Sequence, residues 1–488
     1  MSPIIVFSII FGYFLVLMLL SFLTSRKATT DAFFTGQRQS PWYLVAFGMI
    51  GASLSGVTFI SVPGEVGNSN WAYFQVVLGN LVGYLLIAFL LIPLYYRLRL
   101  VSIYEYLDKR LGRFSYKTGS FFFLLSQTIG ASFRLFLVAG VLQLAFFDAY
   151  EIPFAVTVFV TILLIWLYTF KGGIKTIVWT DTLQTLFMLT TVGVTLWLIC
   201  RELDFSFSAM IQTIQENPHS QIFVWEWQSG QNFFKQFIAG AFLTIVMTGL
   251  DQNMMQKNLT CRNQKEAQKN VVWFSISFAF SNIFFLSLGV LLYVFAFQKG
   301  IALPGSSDDL FAILALEHFS PVAGALFLLG ITAAAYSSAD SALTALTTSF
   351  CVDFLNIEKL PEERQKPLRL KVHIAFSLLM FMVILGFHAF NDESVVMAVF
   401  KAAGFTYGPL LGLFVFGMFT KREVKDRFVP WICLISPLLC YVVNANSEAW
   451  LRGYKFGFEI LVLNGLLTFL GLYIISGKKV SDSVKVAG

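Results

Sequence analysis

Hydrophobic stretches of about 17 to 25 residues or more recur along the whole chain, and each is long enough to cross a bilayer as a helix. The 488 residues are 57% hydrophobic and only 13% charged, which is more apolar surface than a soluble core can bury. The sequence therefore predicts an all-α polytopic membrane protein with one transmembrane domain over residues 1 to 488. We expect 13 transmembrane helices, at approximately residues 3 to 23, 41 to 66, 72 to 98, 119 to 147, 153 to 170, 176 to 200, 232 to 250, 271 to 297, 319 to 354, 368 to 388, 393 to 419, 426 to 443 and 455 to 476.

The basic residues predict how these spans are oriented, because cytoplasmic loops of membrane proteins are enriched in Lys and Arg. With the N-terminus outside, 27 of the 34 Lys and Arg residues fall in inside segments and 4 in outside loops. We therefore expect an integral plasma membrane protein (bacterial inner membrane) with its C-terminus in the cytoplasm. The net charge of +6 is then a topology signal rather than a sign of nucleic-acid binding. The first span reads as a retained helix rather than a cleaved signal peptide.

Enzyme chemistry has little to work with in this sequence. The five cysteines show neither C-x-x-C spacing nor paired extracellular placement, which argues against zinc and disulfides. Only four histidines are present, and no nucleotide-binding glycine-rich loop occurs. We expect a protein that is not an enzyme and has no cofactor.

One apolar segment carries an unusual run of small residues, hydroxyls and one carboxylate, A-A-A-Y-S-S-A-D-S-A-L-T-A-L at residues 333 to 346. On a helix, positions three or four apart share a face. A backbone carbonyl and several hydroxyls therefore converge there, and oxygen ligands of this kind suit a hard cation such as Na+. The alternative is that small residues let two membrane helices pack closely. The face consists of Ala334, Ser337, Ser338 and Ser341, with Asp340 beside it.

Charged residues inside the spans are expensive in lipid and each is a functional hypothesis. The predicted orientation places Arg134 near or somewhat outside the middle, and Lys235 and Lys401 in the outer half. Asp181 and Asp340 fall in the inner half. This pattern fits an anionic solute that enters from outside and a cation held deeper, although both lysines could instead extend to the surface.

Glycines interrupt two of the predicted spans. Dense glycine weakens a helix, permits unwinding and frees backbone carbonyls in the membrane. Interrupted helices at matching places in two five-helix units point to an inverted-repeat transporter. The glycines concerned are Gly48, Gly51 and Gly56 in the span 41 to 66, and Gly240 and Gly249 in the span 232 to 250.

Several motifs, in order, resemble those of the sodium/solute symporter family, which has the LeuT-type fold. They are Y-T-F-K-G-G-I-K-T-I-V-W-T-D-T-L-Q at 168 to 184, D-Q-N-M-M-Q-K at 251 to 257, the run at 333 to 346, and Y-G-P-L-L-G-L-F-V-F-G-M-F at 407 to 419. The resemblance implies a 5+5 inverted repeat, with a first five-helix repeat at 41 to 200 and a second, inverted one at 232 to 419. One extra helix at 3 to 23 would precede the repeats, and two more at 426 to 476 would follow.

The same resemblance implies Na+ as the coupling ion and assigns ligands to it. The family's shared sodium site matches backbone carbonyls and two adjacent hydroxyls here, those of Gly51, Leu54, Ala334, Ser337 and Ser338. A second sodium site of some members matches Asp181, Ser337, Asp340 and Ser341. Asp340 stands where those members carry a hydroxyl, so the two carboxylates could bind Na+, share a proton or bind nothing. The segment 251 to 257 resembles an inner gate.

For the solute, the motifs most resemble carriers of anions such as sialic acid and monocarboxylates. Ser55, Thr58 and Arg134 match positions that hold the substrate carboxylate in sialic acid carriers. A glutamine of those carriers falls at Val77 here, with Gln75 near it, and Lys401 replaces a polar neutral residue. The predicted substrate-binding set is therefore Ser55, Thr58, Gln75, Arg134 and Lys401.

Three alternatives to an anion symporter stay open at this point. A sodium-coupled sugar or inositol symporter would differ only in the solute. A proton-coupled carrier would use Asp181 and Asp340. A membrane channel or receptor would belong to a different class, and no appended signalling domain supports the receptor. The expected partners are a small solute, Na+ and the lipid bilayer.

Overall fold

The structure, a computed structural model, describes residues 3 to 25, 38 to 100, 102 to 390 and 395 to 479. It is built almost entirely from helices, with one short antiparallel strand pair that joins Arg422 to Lys479 and Val424 to Ser476. The helices are α1 (Pro3–Ser25), α2 (Trp42–Ser53), α3 (Val62–Ser69), α4 (Tyr73–Leu86), α5 (Ile92–Leu98), α6 (Glu105–Arg110), α7 (Arg113–Leu142), α8 (Phe154–Glu202), α9 (Phe207–Glu216), α10 (Phe233–Thr244), α11 (Gln252–Asn258), α12 (Gln264–Gln298), α13 (Leu310–Ile313), α14 (Pro321–Ser349), α15 (Glu362–Phe390), α16 (Val395–Thr406), α17 (Gly408–Phe419), α18 (Val429–Ala445), α19 (Ser447–Trp450) and α20 (Ile460–Ile475), and the strands are β1 (Arg422–Val424) and β2 (Ser476–Lys479).

Seven helical stretches of the described chain are long and apolar enough to cross a membrane, or up to nine if two bent helix pairs each count as one span. Shorter apolar helices coincide with four other predicted spans, at Ser8–Leu23, Trp42–Ser53, Phe154–Leu167 and Ile460–Ile475. The membrane-spanning character is therefore evident, whereas the count of 13 stays a prediction. The predicted break between the spans 153 to 170 and 176 to 200 falls in α8 on residues 168 to 176, outside the side chains that the structure describes.

Two helices break where the sequence predicts interrupted spans. After α2 ends at Ser53, Leu54 takes a non-helical conformation (φ −76°, ψ 70°), and a wide helical turn follows at Val57–Ser61. The second break lies at Leu250, where Phe233–Gly249 and Gln252–Asn258 meet at 70°. Both breaks place irregular backbone inside the protein, which is where a membrane protein tolerates it.

The glycines near these breaks act mainly through close helix packing. A Cβ at Gly51 would lie 2.2 Å from Thr185 Oγ1, so the absence of a side chain lets α2 approach α8. A Cβ at Gly240 would lie 2.2 Å from the Val76 carbonyl oxygen of α4. The prediction that Gly240 interrupts its helix is wrong, because Gly240 lies inside α10 and the helix continues until Gly249.

Helix α14, which carries the run at 333 to 346, lies at the centre of the molecule and packs against α1, α2, α7 and α8. In its most apolar window 76% of the residues are buried, against 22% in the window that contains α18. Its hydroxyls and its carboxylate therefore face other helices instead of lipid. Packing against neighbouring helices, one of the two interpretations of this run, is therefore observed, whereas the cation site stays a prediction.

We predict that Gly240→Ala destabilises the protein by about 1 to 3 kcal/mol, because the added methyl must push α10 away from the α4 backbone. Thermal unfolding of the purified protein would show a lower melting temperature. The matched control is Gly193→Ala in α8, where no described atom lies within 4 Å of the new methyl. Equal melting temperatures for the two variants would contradict the close approach of α4 and α10.

Candidate functional site

A cavity of about 120 Å³, partly open to solvent, is lined by residues of both helix breaks. Residues that follow α2 form one wall, and residues of α4, α7, α10, α11, α14 and α16 form the others. Four of the residues predicted for the sites line it, namely Ser55, Thr58, Arg134 and Ser338. Further polar or aromatic lining residues are Ser53, Tyr73, Asn80, Tyr84, Gln127, Thr244, Thr248, Asp251, Asn253, Phe278, Phe400 and Tyr407.

The charged groups of this cavity differ in what they already bind. Asp251 is 2% exposed, and its carboxylate accepts hydrogen bonds from the Tyr407 hydroxyl (2.8 Å) and from the Met254 backbone N–H (3.2 Å). Arg134 donates no hydrogen bond to any residue that the structure describes. Its guanidinium, with five N–H donors, is therefore the cavity's free hydrogen-bonding cation within the described chain.

The residues of the predicted shared sodium set lie on α2, directly after α2 and on α14, and α2 packs against α14. No backbone N–H of the described residues donates to the carbonyls of Gly51 or Leu54, because Leu54 N–H donates to Ile50 and the next such bond is Phe59 N–H to Ser55. Ser338 is 4% exposed, and its hydroxyl has no hydrogen-bond partner among the described residues. Such groups fit a bound cation, since buried polar atoms are normally paired. Ala334 and Ser337 lie on the same helix and are fully buried.

The second predicted sodium set contains a basic side chain, that of Lys257, which the sequence does not assign to it. Asp181 Oδ1 accepts a hydrogen bond from the Ser337 hydroxyl (2.6 Å), and Lys257 Nζ lies 2.6 Å from Asp181 Oδ2. Asp340 and Ser341 are buried on the next turn of α14. Lys257, which the predicted orientation counts among the basic residues of the inside segments, has a side chain that is only 1% exposed.

The structure does not bring Gln75 or Lys401 to the cavity. Gln75 is fully buried, and its amide binds the loop before α10 through the Gln231 carbonyl (3.0 Å) and the Val224 N–H (3.2 Å). Val77, where the sequence comparison places the glutamine, is fully buried as well. Lys401 is exposed and lines a second cavity together with Glu65. These two predicted positions therefore lie apart from Ser55, Thr58 and Arg134.

Tyrosine hydroxyls donate hydrogen bonds to the backbone carbonyls of the second helix break. Tyr95 donates to the Gly249 carbonyl (2.8 Å), and Tyr104 donates to the Leu250 carbonyl (2.9 Å). Gln252 accepts a hydrogen bond from the Ile103 N–H (2.9 Å), and all of Gln252–Asn258 is buried. This buried polar network ties α11 and the break before it to Tyr95, Ile103 and Tyr104, and the inner-gate role of the segment stays a prediction.

Comparison with known proteins places this geometry in context. A family model described as "SSF: Sodium:solute symporter family" matches residues 33 to 426. The chain is 27% identical over 436 residues to the sodium/sialic acid symporter SiaT of Proteus mirabilis (strain HI4320), with 85% of each protein covered. It is 26% identical over 443 residues to the sodium/sialic acid symporter NanT of Aliivibrio fischeri (strain ATCC 700601 / ES114), with 88% of this chain and 83% of that protein covered.

A solved structure shares the fold. It is the substrate-bound outward-open state of a Na+-coupled sialic acid symporter, described as revealing a novel Na+-site, and it superimposes with a TM-score of 0.81. The alignment covers 98% of this chain and 99% of that chain, at 21% identity. At this identity the likeness concerns the arrangement of helices and not the solute.

We predict that Gln75→Met loosens the loop before α10 without acting on the cavity. The substitution keeps the side-chain length and leaves the Val224 N–H without its acceptor, which costs roughly 1 to 3 kcal/mol locally. Hydrogen exchange at Val224 should accelerate, whereas Gln212→Met, on an exposed face of α9, should leave it unchanged. If Gln75→Met lowered the solute affinity and left hydrogen exchange at Val224 unchanged, Gln75 would have to be a solute ligand after all.

Proposed function

Because the chain belongs to the sodium:solute symporter family, we propose that it imports a small organic carboxylate, such as sialic acid, together with sodium by alternating access. The protein is an integral membrane transporter and not an enzyme, and Na+ is its coupling ion. The observation that carries the solute class is Arg134, whose guanidinium faces the cavity and donates no hydrogen bond to the described residues. The names of the two bacterial relatives point to the same class.

An arginine in this state recognises anions. A guanidinium can hold a carboxylate through two parallel charge-assisted hydrogen bonds, and these are stronger than neutral ones. Asp251 is the acidic residue of the same cavity. Its two carboxylate oxygens already accept hydrogen bonds from Tyr407 and Met254, so it attracts a cationic solute less than an unpaired carboxylate would. Ser55 and Thr58 lie on the cavity wall after α2 and offer hydroxyls to the same carboxylate.

We further propose that sodium binds between the first broken helix and α14. Its ligands are the carbonyls of Gly51, Leu54 and Ala334 and the hydroxyls of Ser337 and Ser338. The unpaired Ser338 hydroxyl supports this assignment, because it also lines the solute cavity. Sodium at this position stabilises the arrangement of α2 and α14 that binds the solute, and loss of sodium to a sodium-poor cytoplasm releases the solute.

The proposed chain layout follows the sequence. Residues 41 to 200 and 232 to 419 form the two inverted repeats, after one extra N-terminal helix at 3 to 23 and before two C-terminal helices at 426 to 476. The breaks at Leu54 and Leu250 support this layout, since each lies in the first span of its repeat. The N-terminus lies outside and the C-terminus in the cytoplasm.

We predict that Ser338→Ala raises the sodium concentration for half-maximal uptake by about tenfold or more. Losing one oxygen ligand of a buried cation costs roughly 1.5 to 3 kcal/mol, in the range of hydrogen bonds to charged groups. Sodium titration of sialic acid uptake in proteoliposomes measures the effect. The control is Ser281→Ala in α12, a buried serine whose hydroxyl donates to the Ser277 carbonyl. An unchanged sodium dependence in Ser338→Ala would refute the ligand assignment.

We predict that Arg134→Lys weakens sialic acid uptake by about tenfold in KM, because lysine keeps the charge but loses the two parallel hydrogen bonds. Competition experiments on the unaltered protein should show inhibition of this uptake by carboxylates and not by neutral sugars. Inhibition by sugars alone, with no effect of Arg134→Lys, would favour a sugar or inositol symporter instead. Replacing sodium by choline at fixed pH should abolish uptake, whereas a proton-coupled carrier would keep it.

A further inference from the structure

The ion pair between Lys257 and Asp181 is the feature that the proposed transport cycle does not yet use. The two charged atoms lie 2.6 Å apart, and the side chains are 1% and 0% exposed. Within the described chain, the other ion pair joins Lys455 and Glu448 on the surface, where each side chain is more than 60% exposed. A buried ammonium requires a partner, since an isolated charge in the interior is strongly destabilising. Lys257 is therefore fixed on Asp181.

Each carboxylate oxygen of Asp181 already has one hydrogen-bonding partner. Oδ2 contacts the ammonium, and Oδ1 accepts the hydrogen bond from Ser337. A sodium ion at Asp181 would have to share the carboxylate with a positive charge, and like charges at such short range repel strongly in the protein interior. Otherwise it would have to displace a buried ammonium from its carboxylate. Lys257 thus already provides what a sodium ion would, a single positive charge in contact with Asp181.

We propose that Lys257 is a resident cation that takes the place of a second sodium ion at Asp181, so that the protein binds one sodium ion. The proposal rests on the proposed function only in taking Na+ as the coupling ion. The ammonium is tied covalently to α11 and stays with the protein when the transported sodium leaves. It therefore neutralises Asp181 without drawing on the sodium gradient, and one sodium ion is coupled to each solute.

Removing the ammonium should create the second site. In Lys257→Met, the carboxylate of Asp181 loses its ammonium partner and, with the hydroxyls of Ser337 and Ser341, can bind a cation. Ser341 is 2% exposed, and its hydroxyl has no hydrogen-bond partner among the described residues, so it can turn to a bound ion. Methionine matches the length of lysine without its charge and leaves the packing of α11 nearly unchanged.

The experiment counts sodium ions by equilibrium binding of 22Na+ to the purified full-length protein in detergent, without solute. We expect one ion per chain for the unaltered protein and two for Lys257→Met. The double variant K257M/D181N, which lacks both the amine of Lys257 and the carboxylate of Asp181, should bind one ion. Two ions in the unaltered protein, or one in Lys257→Met, would overturn the proposal. If Lys257→Met does not give folded protein in size-exclusion chromatography, Lys257→Gln provides the same count.

The shared site serves as an independent control. Adding Ser338→Ala should weaken binding of the one ion of the unaltered protein about tenfold, and in Lys257→Met it should weaken one of the two ions and leave the affinity of the other unchanged. A count of zero in the unaltered protein would overturn both this proposal and sodium coupling at the shared site. One bound ion without any uptake of sialic acid would instead refute the proposed solute and leave the role of Lys257 standing, so the two failures are distinguishable.

Discussion

Every backbone polar group inside a membrane needs a hydrogen-bond partner, and this requirement governs the structure. A broken helix inside the bilayer exposes carbonyls, and lipid cannot satisfy them. The two breaks meet this requirement differently. At the second break, the hydroxyls of Tyr95 and Tyr104 donate to the carbonyls of Gly249 and Leu250. At the first break, the Gly51 and Leu54 carbonyls receive no backbone N–H from the described residues. The second break is thus closed by protein donors, whereas the first leaves two carbonyl oxygens without a backbone donor in the described chain, as the proposed cation site requires.

The central position of α8 and α14 follows from the same requirement. Both helices carry polar side chains that need a protein environment, and each packs against the first broken helix. Thr185 on α8 donates to the Phe47 carbonyl of α2 (3.0 Å), and Gly51 permits this approach because a Cβ there would meet the Thr185 hydroxyl. The glycine therefore matters less by loosening its own helix than by bringing α2 close to the helix that bears Asp181.

The sequence was sufficient for features that depend on local pattern. Apolar spans, the hydroxyl-rich face of α14 and an arginine in the membrane are each visible within some twenty residues, and the structure brings Ser55, Thr58, Arg134 and Ser338 to one cavity. Long-range partners were not predictable. Asp181 and Lys257 are 76 positions apart, and Gln75 binds a loop about 150 positions away. From the sequence alone, Lys257 follows an apolar span and is counted as a topology signal. Its carboxylate partner, Asp181, is evident only from the fold.

The segment from Asp251 to Lys257 connects the two polar centres of the molecule. At its start, Asp251 lines the solute cavity and accepts a hydrogen bond from Tyr407, which lies where α16 and α17 meet at 46°. At its end, Lys257 is held on Asp181 of α8. At 1.5 Å per residue, these positions are about 9 Å apart along one short rigid helix. A rigid-body movement of α11 would therefore act on the Tyr407 contact and on the Lys257 pair together. Arg134 and Tyr407 line the same cavity as Asp251, so one short helix connects this cavity to the buried ion pair of Lys257.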